Sequence, residues 1–338
     1  MKTRIPVSKS DFARATRCAG ESARISAACS RRSSSATDRI ERECTASRVH
    51  TLAGVFEWSE AVTQFISFLF SFFATGAVAF RIVVLKRALE PEVFDRASRR
   101  AATIGLIGAV GTLLMYVGMD LPRLAARQHT SVMHAATANL PATIGTICIF
   151  MLVIALGLAL SRVDAAWIVA AIAVVVSPLA PLLAGQWTRV INPVHRLAGG
   201  LWIGTLFVML IAGFVAALQS SLDRIRRGQI AAAMTHSFSP LALTAFTILA
   251  LSGLTTAWRH LKHLNALWTT PYGYALIAKL CVVAIVVALG AWNWKRQRPL
   301  LGTESAAAVL RRSATAEVVA ATIVLVITAV LVSLPSPK

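Results

Sequence analysis

LPATIGTICIFMLVIALGLALSRVDAAWIVAAIAVVVSPLAPLLAG, residues 140–185, is the stretch on which the fold turns. Two apolar runs flank only Ser161, Arg162, Val163 and Asp164. A helix rising about 1.5 Å per residue needs about 20 apolar residues to cross roughly 30 Å of hydrocarbon. The two runs therefore predict a tight transmembrane hairpin over 140–160 and 165–185. Reading outward, the same criterion places further spans near 63–84, 101–119, 194–218, 240–259, 272–294 and 313–334, eight in all. The composition agrees, since 56% apolar and 14% charged residues describe a chain that would aggregate if it had to fold in water. The ten-residue alternation of a β-barrel strand is absent. The expected fold is all-α and polytopic.

Orientation follows from Lys and Arg, which stay on the cytoplasmic side during insertion. The connections after spans one, three, five and seven hold fifteen of them, from Arg81 to Arg100, at Arg162, from Arg224 to Arg227 and from Lys295 to Arg312. The opposite ends hold fewer than half as many. Both termini are therefore predicted outside, in the periplasm of a bacterium. The formal net charge of +19 reads as a topology signal, and no basic patch with interleaved aromatics points to nucleic acid.

Residues 1–55 read differently. Ser, Arg, Ala and Thr dominate, apolar periodicity is missing, and runs such as Arg31-Arg32-Ser33-Ser34-Ser35 cannot bury a core. The segment is expected to be a disordered basic tail without the apolar stretch of a signal peptide, and a true start near Val49 or Val55 is an alternative. Spans one to four then occupy 56–190 and spans five to eight 191–338. Cys18, Cys29 and Cys44 in the tail lack metal-site spacing, and Cys148 and Cys281 within spans read as packing residues.

Polar residues inside the spans carry the functional signal, because they are costly in lipid. Span five opens Asn192-Pro193-Val194-His195-Arg196-Leu197-Ala198-Gly199-Gly200-Leu201-Trp202-Ile203-Gly204. Pro193 suits a helix start, and Gly200 and Gly204 allow a neighbouring helix to come close. His195 in the first turn is either a transition-metal ligand or an interfacial histidine bonded to headgroups or a loop. Span six is expected to begin after Phe238-Ser239-Pro240 and to leave at His260 with His263 following, where Arg259 and Lys262 would disfavour a cation. Tyr272 opens span seven, Lys279 lies about two turns below its outer end, and Glu317 lies about two turns above the cytoplasmic end of span eight. No phosphate-binding loop, Cys-x-x-Cys, His-Glu-x-x-His or Ser/His/Asp set is visible, so an enzyme is not expected.

From His195 through Pro335 the chain resembles the copper resistance protein D (CopD) family. The resemblance rests on the His195 to Gly204 stretch, Phe238-Ser239-Pro240 with Gly253, Leu267 to Lys279 with Thr270, Tyr272 and Gly273, then Asn293, and Arg312 to Glu317 before Pro335. It implies copper tolerance and copper movement across the bacterial inner membrane, alongside a small periplasmic copper-binding partner of the CopC type. It also implies a Gly-His pair at the end of span four, where this chain has Gly185-Gln186. Glutamine is a poor ligand for Cu(I), which prefers sulfur and imidazole. Substitute donors are Met115 and Met119, four apart on span two, and His129, Met133 and His134 after it. With His195 they would make a Met/His-rich vestibule through which Cu(I) enters, leading to a path shaped by Lys279 and Glu317. The alternatives are a haem-binding membrane cytochrome and a membrane scaffold that no longer binds metal.

Overall fold

The computed structural model describes residues 58–85, 90–260 and 265–297, together with 315, 319, 322–330 and 332; the side-chain surroundings of 260, 266, 271, 272, 286 and 289–297 fall outside that description. The basic tail over 1–55, His263 and Glu317 thus lie outside the described residues. Every described element is helical. Six helices are long and apolar enough to cross a membrane: α1 (Trp58–Val84), α2 (Pro91–Gln128), α3 (Leu140–Leu160), α4 (Ala165–Leu183), α5 (Trp187–Leu218) and α6 (Arg224–His260). α7 (Pro271–Gln297) occupies the seventh predicted span, with an apolar part over Gly273–Ile285. Residues 322–330, in the eighth, are also helical.

The α3–α4 hairpin falls where the sequence places it. Asn139 starts α3 by accepting the Ala142 N–H on its side chain at 3.0 Å, a cap worth about 1 kcal/mol. Arg162 ends it in the left-handed region (φ 68°), with Val163 N–H donating to Leu158 O at 3.1 Å.

Two helices are longer than hydropathy predicts, for the same reason. α2 begins at Pro91, a residue suited to a first turn, and its charged first turns bury Val93 and Ala97 completely. α6 begins at Arg224, so Phe238-Ser239-Pro240 is not a helix start, and Pro240 lies in its interior. Proline there removes one backbone hydrogen bond. The turns before it bury Ile230, Met234 and Phe238 in the main core, and that burial holds the helix together across the break. Hydropathy detects the hydrocarbon, whereas packing sets the helix ends.

α1 and α5 are central. In each, 56% of the apolar window is buried inside the protein, against 11–28% for the other four crossing helices. Small residues bring the pair together. A Cβ on Gly200 would come within 2.9 Å of the Thr75 side chain, and one on Gly204 would strike the Phe72 carbonyl oxygen. α5 is not a uniform α-helix here, because π-helical turns occupy Gly200–Gly204 and Met209–Phe214. Phe73 and Phe207 stack across the same contact with ring centres 4.7 Å apart.

One end of the bundle is tied by charge. Arg81 on α1 reaches Ser98 of α2 at 3.0 Å and Asp164 of the hairpin turn at 3.1 Å. Arg226 of α6 pairs with Glu90 at 2.8 Å, Arg96 donates to Gln219 O at 2.6 Å, and Arg100 donates to the Gln219 side chain. Connections one, three and five thus gather at a single Arg-rich end, as the alternation of spans predicts. His195 belongs to the other end.

Candidate metal site at the His195 end

The link from α4 to α5 sets the site. Gly185 adopts φ 68°, which a residue with a Cβ reaches only at a cost, and lets Gly185 N–H and Gln186 N–H return to Leu182 O and Pro181 O at 2.9 Å each. The glycine of the Gly185-Gln186 pair is therefore a helix stop. The Gln186 side chain accepts from Arg189 Nη1 at 3.1 Å, a local contact along the short turn Trp187–Arg189.

From this turn α5 descends against α6 along a polar seam. Arg259 Nη1 donates to Thr188 O at 3.1 Å. One turn deeper, Thr256 Oγ1 lies 3.3 Å from Asn192 Oδ1. One turn deeper still, His195 Nδ1 lies 2.9 Å from Ser252 Oγ. Residues 188, 192 and 195 on α5 face 259, 256 and 252 on α6, the i, i+4, i+7 spacing of one helix face against its mirror on an antiparallel partner. A Cβ on Gly253 would come within 3.3 Å of His195 Cε1, so the glycine seats the imidazole. Below the seam Trp202 packs edge-on against Phe246, ring centres 5.4 Å apart at 75°. Sequence reasoning singled out His195, Gly253 and Trp202 but missed Asn192, Ser252 and Thr256 as partners. The signal was available as polar residues four and three apart on two apolar helices.

The other sequence candidates divide. Lys279, half-buried on α7, is an electrostatic neighbour of His195. Met115 and Met119 are half-buried at the far end of α2, where a π-helical turn over Tyr116–Asp120 follows Met115. Asp120, beside Met119, acts electrostatically on Arg196, which brings that end of α2 toward the first turns of α5. Arg196 itself turns away from the seam, donating to Ser67 O and Ser67 Oγ at 2.8 Å and lying over the Phe68 ring at 5.0 Å.

His134 is exposed on the short helix Val132–Thr137, its backbone N–H capped by Ser131, and Met133 beside it is exposed as well. His129 closes α2 in the left-handed region (φ 53°). Cys148 is buried, as a packing residue should be, but Cys281 is exposed on α7. Tyr272 lies in the first turn of α7. Among the described residues no three His, Cys, Asp or Glu side chains converge to hold a metal ion.

Residues 232–331 match the family model for copper resistance protein D. That stretch is CopD-like. The chain is also 29% identical over 143 residues to "Copper transport protein CutJ" of Bacillus subtilis (strain 168), a match covering 42% of this chain and 24% of that protein. The match thus takes in about a quarter of the relative's length. No solved structure matches the chain. Six helices long and apolar enough to cross a membrane make this a multi-pass membrane protein, and its 232–331 stretch is similar to copper resistance protein D. Phe246, Ser252, Gly253, Thr256, Arg259, Tyr272 and Lys279 fall within the matched stretch, as does Glu317 in sequence. His195, Asn192, Trp202, Gln186, Met115, Met119 and His134 lie before it, so the polar seam is built half from that stretch and half from α5.

Proposed function

We propose that this chain moves copper across the bacterial inner membrane, taking the ion at the His195 end. The observation that carries the proposal is the His195–Ser252 contact, which attaches an imidazole of α5 to the CopD-like segment at the deep end of a polar seam. Soft donors suit Cu(I), and imidazole with thioether from Met115 and Met119 is the set this end offers, with exposed His134 as an outer contact. Transport needs sites that bind an ion and release it again, and a few donors along a polar seam do this better than a closed cage. The Arg-rich end faces the cytoplasm by the positive-inside rule, which puts His195 and both termini on the periplasmic side, with eight spans in total. There a CopC-like carrier would deliver or accept the ion. Gln186 occupies itself with Arg189, and the metal role at this end falls to His195.

Cellular copper content and copper sensitivity of a deletion strain test the proposal. Wild type is expected to restore the parental phenotype and His195→Ala to fail, with a loss of copper flux of about tenfold or more, as removal of a ligand commonly brings. The sign of the change in content gives the direction of transport. Full complementation by His195→Ala would overturn the route through α5.

Lys279 supplies a second test. Like charges repel, and at an effective dielectric of about 20 a cation held at His195 loses on the order of 1 kcal/mol to a neighbouring ammonium, roughly tenfold in binding. Beside His195 the ammonium weakens the hold on Cu(I) and favours its release. Lys279→Met should therefore bind Cu(I) about tenfold more tightly in purified protein and complement poorly. Weaker binding in that variant would instead make Lys279 a structural support of the site.

A further inference from the structure

Ser252 sits in the middle of α6, one turn inside the Thr256–Asn192 contact, and its hydroxyl has three neighbours. Ile248 O lies 2.5 Å away, Leu249 O 3.3 Å away and His195 Nδ1 2.9 Å away. A hydroxyl has one proton to give and two lone pairs to offer. The shortest contact, to the carbonyl one turn back, is the back-bond a mid-helix serine commonly makes, and it takes the proton. Toward His195 the Ser252 oxygen is then an acceptor. An acceptor facing Nδ1 requires that this nitrogen carry a proton.

We propose that Ser252 is a positioning residue that holds His195 as the Nδ1–H tautomer and leaves the Nε2 lone pair as the donor to the transported ion. The inference rests on the copper reading and specifies its chemistry. Metal-binding imidazoles are commonly oriented by a hydrogen bond from the nitrogen that does not bind, which fixes the tautomer and strengthens the donor. Here that bond crosses from α5 into the CopD-like segment, so the two halves of the site are set by one contact. Gly253 completes the seat, because a side chain there would press on Cε1, the carbon between the two nitrogens. Asn192 and Thr256 make the next contact of the seam, one turn nearer the end of the bundle.

Full-length protein with ¹⁵N-labelled histidine, in nanodiscs and free of copper, tests this directly. The His195 signals are assigned by their loss in His195→Gln. Wild type is expected to show the proton on Nδ1, and anaerobic Cu(I) should perturb the Nε2 signal selectively. Ser252→Ala should weaken Cu(I) binding by about tenfold, whereas Ser252→Thr, which keeps the hydroxyl and its back-bond, should bind as wild type. A proton on Nε2 in the wild-type protein would overturn the proposal, as would unchanged Cu(I) affinity in Ser252→Ala. Wild-type protein that shows Nδ1–H and takes up no Cu(I) would overturn the copper reading while leaving the Ser252–His195 assignment in place.

Discussion

Gly76→Ala is expected to abolish the native packing of α1 on α5. A Cβ at residue 76 would come within 2.1 Å of the carbonyl carbon, 2.3 Å of the carbonyl oxygen and 2.7 Å of the Cα of Gly204. These are backbone atoms of a helix that crosses the whole bundle, so no side-chain rotation relieves the clash. Overpacking a core by a methylene commonly costs about 1–3 kcal/mol. Here the helices must separate along a contact that also carries Gly199 against Phe72 and Gly200 against Thr75, and the cost lies above that range. The expected readout is loss of the monodisperse species in detergent, or a melting midpoint far below wild type. Gly145→Ala and Gly157→Ala on α3 are the controls, because nothing lies within 4 Å of a Cβ at either position. Within a helix, glycine to alanine is otherwise stabilising by about 0.5–1 kcal/mol. The same substitution should thus have opposite signs on α1 and α3. Gly76→Ala melting like wild type would show that α1 and α5 are not in backbone contact.

Much of this architecture was legible in the residues. The 140–185 hairpin, the alternation of charged ends and the small-residue face of α5 follow from hydropathy, Arg placement and the Gly200/Gly204 spacing, and the structure has all three. The start of α6 was not legible, because a proline after Phe238-Ser239 looks like a beginning when only the sequence is seen. The buried Ile230, Met234 and Phe238 that override it are packing facts. At the site, His195 was legible as a costly polar residue in an apolar run. Its partner was not, since a serine in the middle of a helix is an ordinary residue until a second helix lays a histidine against it. Lys279 shows the same limit. It was read as a polar residue shaping the path, and a sequence does not show that its charge comes to bear on His195 of another helix. Arg81 was read only as a topology charge, and its packing could not be inferred from that reading.

Arg81→Ala is the second large effect expected. Arg81 is 8% exposed at the end of α1, its guanidinium 4.6 Å from the Phe94 ring centre and 5.8 Å from that of Trp167. Its Nε donates to Ser98 and its Nη2 to Asp164, so one side chain joins α1, α2, the hairpin turn and α4. The Asp164 side chain is 60% exposed, and an ion pair open to water on one side contributes at most about 1 kcal/mol. The larger contributions come from the two ring contacts, about 0.5–2 kcal/mol each, and from the Ser98 hydrogen bond at about 1 kcal/mol. Alanine would also leave a void among Phe94, Trp167 and the end of α1. A loss of about 3 kcal/mol is expected, read as a lower melting midpoint in detergent. Arg81→Met, which fills the space without the charge, should lose about half as much, and Asp164→Asn should lose less than about 1 kcal/mol. The order of the three variants decides the cause. Asp164→Asn as damaging as Arg81→Ala would make the ion pair the dominant interaction and the aromatic cage a bystander. Arg81→Met as damaging as alanine would place the stability in the charge and its hydrogen bonds, with the filled volume secondary.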